Sequence, residues 1–209
     1  IPLGPVADAP GARGFLRTVS CEAGHAQTLP RINRRYAFIG TAKMAVELNA
    51  LATTYAPHAV ITVGHVRVIP NSRNTVPGAT IFTIDSRHPS ADTLAQMETD
   101  MIGICTRIAA ENEPELHVEP VTRAEPVDFD PECADAVRTA CRDRQFRYRD
   151  IYSGAGHDAC KIASVAPTGM IFVPCERGIS HNELENAHPD DLAMGAQVLL
   201  DVMLSQASQ

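Results

Sequence analysis

The chain has 209 residues, 44% of them hydrophobic and 21% charged, which leaves room for one large or two small globular domains. Its formal net charge of −7, without any run of basic residues, argues against nucleic acid or an anionic membrane as the main partner. No segment approaches the ~18 consecutive apolar residues of a membrane span, and the six cysteines, which form no Cys-x-x-Cys pair, indicate reduced thiols in a cytoplasmic protein.

Residues 1–13 are rich in proline, glycine and alanine. We expect them to form a lead-in segment without a secondary-structure element of its own. The segment lacks an initiator methionine, so we expect the chain to begin partway through a longer one.

Six elements are expected between residues 14 and 127, in the order β-α-β-β-α-β. The spacing of apolar residues predicts strand 15–26, helix 33–55, strand 59–69 with a bulge near Gly64, strand 81–87, helix 90–111 and strand 116–127. The stripe of the first helix starts at Phe38, and that of the second at Leu94. This order is that of the ferredoxin-like split arrangement, an antiparallel four-stranded sheet with both helices on one face. Pairing with another copy is one way to cover its edges.

The strand before His88 ends on a pair of opposite charges. Period-two alternation puts Asp85 and Arg87 on one face of that strand. The preceding loop carries Asn74, and an amide beside a guanidinium fork suits a substrate carboxylate. The alternative is that Arg87 pairs with Asp85 on a solvated surface while Asn74 caps a turn.

Residues 128–209 are expected to form an α-β-α-β-α succession, the tail of a layered α/β domain. Asp130 is the expected N-cap of the first helix, with Pro131 at its first position. A buried strand is expected at 169–174. The last helix starts at Pro189 and is expected to bury the following side chains: Leu192, Ala196, Leu199 and Val202.

Three positions could carry chemistry. His181 follows the buried strand, where α/β proteins bind ligands, so it is a candidate metal ligand or general base. The glycine-rich turn around Gly156 could offer backbone amides to an anion or a carbonyl oxygen, and His25 could donate to a carbonyl oxygen that gains charge. The alternative for each is a structural or surface role. Zinc-type spacings are absent from the sequence, which offers one convincing metal ligand where a catalytic zinc needs about three.

Five motifs occur in an order that resembles a known enzyme family. They are AGHA at 23–26, PNSRNTVPG at 70–78, DSRH at 85–88, SGAGHDA at 153–159 and GISHN at 178–182. This combination resembles the hydantoinase/carbamoylase family of binuclear-zinc amidohydrolases, within the aminoacylase-like metallopeptidase superfamily. Its members include N-carbamoyl-L-amino-acid hydrolases, β-ureidopropionases and allantoate amidohydrolases.

The resemblance implies a role for each motif residue. His181 would be a metal ligand, Asn74 and Arg87 would bind the substrate carboxylate, and Gly156 would contribute backbone to the substrate site. His25 would be both catalytic and substrate-binding, holding the carbonyl oxygen of the scissile amide, often across a dimer. Two zinc ions are expected in a complete site, with manganese, cobalt or nickel as possible substitutes.

The resemblance also implies a domain organisation. Residues 14–127 would be a lid and dimerisation domain, and 128–209 the C-terminal part of the catalytic α/β domain. The expected partners are a small-molecule carboxylate substrate and a second copy of the chain, with neither nucleic acid nor membrane.

Departures from the family pattern limit what this chain could do alone. The family's other zinc ligands, a His-x-Asp pair, a Glu pair with the general base and a further His, precede the lid and are missing here. After His25 the chain continues Gln-Thr-Leu-Pro-Arg where the family usually has Gly-Thr-Thr-Pro-Met, which bears on substrate preference. The expected function is metal-dependent hydrolysis of a linear C–N bond in N-carbamoyl-amino-acid-like substrates, with the 209 residues alone inactive. The alternative is a non-catalytic dimerisation or binding module.

Overall fold

The computed structural model describes residues 2–26, 28, 36–112 and 115–208. The chain is mixed α/β and divides into two compact units, Gly11–Pro126 and Ile1–Pro10 with Val127–Gln209. In chain order the elements are β1 Gly4–Ala9, β2 Gly11–Ser20, β3 Gly24–His25, α1 Ala37–Thr54, β4 Val60–Ile69, β5 Thr75–Val76, β6 Ala79–His88, α2 Ala91–Asn112, β7 Glu115–Ala124, β8 Val127–Asp128, α3 Pro131–Asp143, β9 Ile151–Tyr152, α4 Asp158–Ile162, β10 Met170–Phe172 and α5 Pro189–Ala207. None of the helices, over the residues described, is apolar over a long enough run to span a bilayer.

The Gly11–Pro126 unit is built on an antiparallel sheet of order β4-β6-β2-β7. On β6 the even-numbered side chains, such as Phe82 and Ile84, are buried, and the odd-numbered ones are half-exposed. The buried face packs against α1 and α2, whose apolar side chains complete the core. The alternation predicted for β6 is confirmed, and so is the bulge near Gly64, because the register between β4 and β6 shifts between Val63 and His65.

Helix α2 agrees with its predicted pattern, and α1 does not. The Ser90 Oγ accepts a hydrogen bond from the backbone N of Thr93, as expected of an N-cap. In α1 the buried side chains are Met44 and Leu48 with three small residues, whereas Phe38 is 42% exposed. The face of α1 predicted to be buried is therefore rotated from the face that is buried. The periodicity was ambiguous, because α1 carries apolar residues on several of its sides. Its predicted start at 33 and the predicted chain break at Pro30 lie outside the described residues.

Two buried arginines on β2 differ sharply in their partners. Arg13 bonds Glu98 through Nε at 3.1 Å and Glu125 through Nη2 at 2.9 Å. Arg17 is 0% exposed, and its three guanidinium nitrogens have no hydrogen-bond partner among the described residues. Its charge lies 4.7 Å from the centroid of the Phe15 ring. Burial lowers the pKa of Arg17 from its ordinary value. The buried charge therefore lowers the free energy of unfolding in full at every pH below the pKa of Arg17 in the folded chain.

We expect Arg17→Met to stabilise the chain and Arg13→Met to destabilise it, each by about 1–3 kcal/mol. The first change removes a buried charge whose nitrogens lack hydrogen-bond partners and nearly keeps the volume, whereas the second leaves Glu98 without its partner. Urea unfolding midpoints, compared at unchanged m-value, measure both effects. A shift of the same sign for the two variants would contradict this account of Arg17.

The second unit contains a small sheet whose central strand is β1. Strand β1 pairs with β10 and β8 in antiparallel fashion and with β9 in parallel fashion. The prediction of a lead-in segment at 1–13 is therefore wrong, since Gly4–Ala9 is β1 and Gly11 begins β2. The partners of β1 lie more than 100 residues away in the chain, so the local composition could not indicate its pairing.

The helices of this unit begin where expected. The Asp130 Oδ1 accepts from the backbone N of Glu132 and Cys133 at the start of α3. All six cysteines are free.

Two burial predictions for this unit are wrong. Strand β10 is only half-buried, and Leu192, Ala196 and Leu199 of α5 are exposed. The buried row of α5 includes Gly195 and Val198 instead.

Candidate functional site

His25 and Asn74 lie together at one end of the larger sheet. His25 is in β3, which pairs with β5 so that His25 stands opposite Thr75. The backbone N of Ala26 donates to the Asn74 carbonyl at 2.9 Å, which fixes the two segments side by side. The His25 side chain is exposed, and the Asn74 Oδ1 accepts from the Ser72 hydroxyl at 2.7 Å. An imidazole and an amide are thus brought to one exposed surface.

Close backbone packing holds this ribbon in place. The backbone N of Cys21 donates to the Gly78 carbonyl at 2.7 Å. A Cβ at Gly78 would come within 2.9 Å of the Ala23 Cβ and 3.0 Å of the Ala23 nitrogen. Only glycine fits there without a shift of the backbone. Gly78 therefore permits the close approach between its own loop and the segment that precedes His25.

Arg87 lies toward the opposite end of β6. Its Nε donates to the Asp85 Oδ1 at 2.9 Å, on the half-exposed face of the sheet. Its terminal nitrogens have no hydrogen-bond partner among the described residues, and the side chain is 32% exposed. In register it stands opposite Val60 on β4 and Ala12 on β2, neither of which competes for its charge.

The structure does not bring Asn74 and Arg87 together within one copy of the chain. Strand β6 begins at Ala79, beside the Asn74 loop, and Arg87 is eight residues further along. At a rise of about 3.3 Å per residue these ends are roughly 26 Å apart, far beyond the reach of two side chains on one carboxylate. The contacts within a single copy are those of the alternative interpretation, an Arg87–Asp85 surface pair and a turn at Asn74.

The glycine-rich turn is organised by Ser153, a residue that sequence reasoning had not singled out. Ser153 is 0% exposed, and its Oγ donates to the Ala155 carbonyl at 2.7 Å and lies 3.2 Å from the Ala155 nitrogen. A serine that bonds two residues ahead is a recognisable turn signal. A Cβ at Gly156 would meet no described atom within 4 Å. Glycine is therefore not required there by packing within the described chain.

The loop that carries His181 is closed by its own hydrogen bonds. The backbone N of Glu176 donates to the Asn186 carbonyl at 2.7 Å, so the two ends of the loop meet. At its tip His181 has a positive φ of 54°, an uncommon conformation for a non-glycine residue. Its backbone N donates to the Glu185 carboxylate at 3.0 Å. Sequence reasoning had not singled out Glu185 either. The His181 side chain is exposed.

The described residues do not by themselves fit a metal centre. No three His, Cys, Asp or Glu side chains among them come close enough together to hold an ion. His181 thus offers one ligand, short of the three or four that a zinc site needs.

Comparison with known proteins identifies the relatives of this chain. Residues 8–205 match the peptidase family M20/M25/M40. The N-carbamoyl-L-amino-acid amidohydrolase of Paenarthrobacter aurescens is 37% identical over 203 residues, which cover 97% of this chain and 49% of that protein. The allantoate amidohydrolase of Escherichia coli K12 is 37% identical over 206 residues, covering 95% and 48%.

Solved structures agree with these matches. A hydantoinase/carbamoylase family amidase from Burkholderia vietnamiensis is 43% identical, with a TM-score of 0.96, and the match covers 99% of this chain and 50% of that one. An amidase of the same family from Burkholderia multivorans is 45% identical with a TM-score of 0.89. The resemblance inferred from the five motifs is confirmed. The chain spans about half the length of the curated relatives it matches, in their C-terminal portion.

Proposed function

Because the chain belongs to peptidase family M20/M25/M40, we propose that it forms the lid and the C-terminal part of the catalytic domain of a metal-dependent amidohydrolase. The substrate is an N-carbamoyl-amino-acid-like molecule, and the reaction hydrolyses its linear C–N bond. The observation that carries this proposal is 37% identity to two proteins named as amidohydrolases of N-carbamoyl-L-amino acids and of allantoate. Both named substrates join a carbamoyl-type nitrogen to a molecule with a carboxylate.

The Gly11–Pro126 unit is the lid in this proposal, with a ferredoxin-like arrangement. Its antiparallel order β4-β6-β2-β7, and the packing of α1 and α2 against one face, support that assignment. The other face of the sheet stays half-exposed and carries Arg87. A lid of this kind presents Arg87 on a rigid sheet, which fixes its geometry better than a loop would.

Arg87 binds the substrate carboxylate. Its Nε is held by Asp85 at 2.9 Å, which leaves the terminal nitrogens as a planar fork for two carboxylate oxygens. His25 donates a hydrogen bond to the carbonyl oxygen of the bond being cleaved, where negative charge develops during attack. Asn74, fixed beside His25 through Ala26, adds an amide donor near the same end of the substrate.

These three residues act on one substrate only if two copies of the chain combine. Ala79, beside the Asn74 loop, and Arg87 are roughly 26 Å apart along β6, which is longer than a carbamoyl-amino acid. A homodimer through the lid would place Arg87 of one copy near His25 and Asn74 of the other. The edge strand β4 exposes apolar side chains, among them Val60 and Val66, as expected of a surface that pairs with another copy.

The metal site is completed from outside this chain. His181 would supply one ligand, and the glycine-rich turn at Gly156 would bring backbone close to the substrate, since its open surroundings permit that approach. The metals would be zinc, or manganese, cobalt or nickel in its place. Because the described residues hold no cluster of ligands, hydrolysis is not expected of the 209 residues alone.

A fusion experiment tests the proposal. The chain is joined behind the N-terminal half of the Paenarthrobacter aurescens relative, and hydrolysis of N-carbamoyl-L-amino acids and allantoate is measured with each metal supplied. We expect turnover by the fusion and none by the isolated chain. Turnover by the isolated chain would refute the incomplete site. A folded fusion that binds metal but cleaves neither substrate would favour the alternative, a non-catalytic dimerisation or binding module.

A further inference from the structure

The interior of the Gly11–Pro126 unit contains a guanidinium group whose donors are buried without acceptors. Arg17 is 0% exposed, and its Nε, Nη1 and Nη2 have no hydrogen-bond partner among the described residues. A guanidinium carries five N–H donors in its plane. The Phe15 ring, whose centroid lies 4.7 Å from the Arg17 Cζ, attracts the charge but accepts none of these hydrogen bonds. A buried charge of this kind is costly unless an acceptor of opposite charge is supplied.

The ionisable neighbours of Arg17 do not supply that acceptor. The carboxylate of Glu98 bonds the Nε of Arg13 at 3.1 Å instead. Cys105 is 0% exposed, and burial raises the pKa of its thiol although Arg17 opposes the shift, so the thiol is neutral near pH 7. Burial lowers the pKa of Arg17 by more than Cys105 and Glu98 raise it. Neutralisation of the Arg17 charge therefore requires an anion that is not a side chain of the described residues.

Two buried hydroxyl groups accompany this guanidinium. The Oγ1 atoms of Thr41 and Thr80 have no hydrogen-bond partner among the described residues. In the register between β2 and β6, Phe82 stands opposite Arg17 and Thr80 stands opposite Val19. Thr80 is therefore a diagonal neighbour of Arg17 on the buried face, at a spacing of about 7–8 Å that a long side chain spans. Thr41 belongs to the buried side of α1, which packs against the same face.

The chemistry of these groups selects the class of ligand. The guanidinium has donors and no acceptor, and a threonine hydroxyl can add one more donor. A water molecule would accept a hydrogen bond but would leave the charge in place. A single negative charge cancels that of Arg17, and the surrounding core of apolar side chains admits only a small ion. A halide meets both conditions, because it accepts hydrogen bonds from any direction.

We infer that Arg17 and Thr80 form a binding site for a small monovalent anion, chloride in the first place, between the sheet and the helices of the Gly11–Pro126 unit. The anion accepts hydrogen bonds from the guanidinium and the hydroxyl and cancels the buried charge. Its binding stabilises the unit that carries the candidate substrate-binding residues. The inference does not depend on the proposed hydrolysis, because anion binding is measured without substrate or metal.

Thermal unfolding in chloride tests the site. The midpoint of the 209-residue chain is measured as sodium chloride replaces sodium gluconate up to about 200 mM at constant ionic strength, since gluconate is too large for the core. We expect chloride to raise the midpoint by about 3 °C or more, because a ligand that binds only the folded state stabilises it by mass action. Arg17→Met and Thr80→Val should lose most of this rise. The advantage of Arg17→Met over the parent should be largest in gluconate.

Two further variants serve as controls for the chloride response. Arg107→Met removes a 49% exposed arginine from the same unit and should keep the full response. Cys105→Ala should also keep it, because the thiol is not the counter-charge. The inference is overturned if the midpoint of the parent is the same in both salts, or if Arg17→Met responds to chloride as the parent does. Loss of the response in Cys105→Ala would also overturn it, since the thiolate would then be the partner of Arg17.

Bromide locates the anion directly. In crystals of the chain grown with sodium bromide, we expect an anomalous scattering peak within hydrogen-bonding distance of the Arg17 guanidinium and of the Thr80 hydroxyl. Crystals of Arg17→Met should lack that peak. Bromide peaks confined to the surface of the parent chain would overturn the inference even if chloride raises the midpoint, because the stabilisation would then come from other sites.

Discussion

In the fusion enzyme, Arg87→Ala should lower kcat/KM for N-carbamoyl-amino acids by about 30- to 150-fold, equivalent to roughly 2–3 kcal/mol of lost transition-state binding. The loss should appear mainly as a higher KM, because the carboxylate is bound equally in the ground state and the transition state. Steady-state kinetics over a range of substrate concentrations measure the two constants separately. Arg87→Lys should recover only part of the loss, since an ammonium cannot make the planar two-point contact.

A paired arginine elsewhere in the same unit provides the matched control. Arg107 on α2 bonds Glu111 at 2.9 Å and also contacts Glu47, so its removal also breaks surface ion pairs. Arg107→Ala should leave both kinetic constants within about twofold of the parent. The role of Arg87 is contradicted if a substrate whose carboxylate is replaced by a carboxamide loses as much activity on Arg87→Ala as the acid does. Such a result would indicate damage to the sheet rather than loss of a carboxylate contact.

Regular patterns with one apolar face were predictable from the sequence. On β6 the alternation of Phe82 and Ile84 with polar neighbours admits only one buried face, and the structure has that face. The seam of α2 is equally one-sided, and its members Leu94, Met97 and Met101 are 0% exposed. Helices α1 and α5 carry apolar residues around most of their circumference. Periodicity cannot choose a face in that case, because the choice depends on which neighbour is present to cover it.

The long-range strand pairing of Gly4–Ala9 could not be predicted from the sequence, for a different reason. Gly4–Ala9 contains a proline, a glycine and two alanines, none of which favours a strand, yet it forms the centre of a sheet. The candidate site shows the same limit. The motifs identified His25, Asn74 and Arg87 as polar residues of the lid, but the distance between the two ends of β6 depends on strand length and register. Proximity in sequence had suggested that Asn74 and Arg87 lie side by side.

Mixing two inactive variants should restore activity if the site is shared between copies. Assayed at substrate concentrations well below KM, where the rate follows kcat/KM, fusion enzymes carrying His25→Ala and Arg87→Ala are each expected to fall to about 1% of the parent activity, because each removes one substrate contact from every site. In a dimer of one variant with the other, one site receives both changes and the second receives neither. Random pairing at equal amounts should then recover about a quarter of the parent activity.

The amount of recovery discriminates between the two arrangements. If His25 and Arg87 of the same copy served one substrate, every site in the mixture would carry a change and activity would stay near 1%. The separation of roughly 26 Å between the His25 end of β6 and Arg87 supports the shared site, because no rotation of two side chains closes that distance. Unfolding and refolding the variants together gives the exchange of copies, and a mixture of each variant with itself is the control. Failure to recover activity in a mixture shown to contain mixed dimers would leave the distance along β6 unexplained and remove His25 from the proposed site.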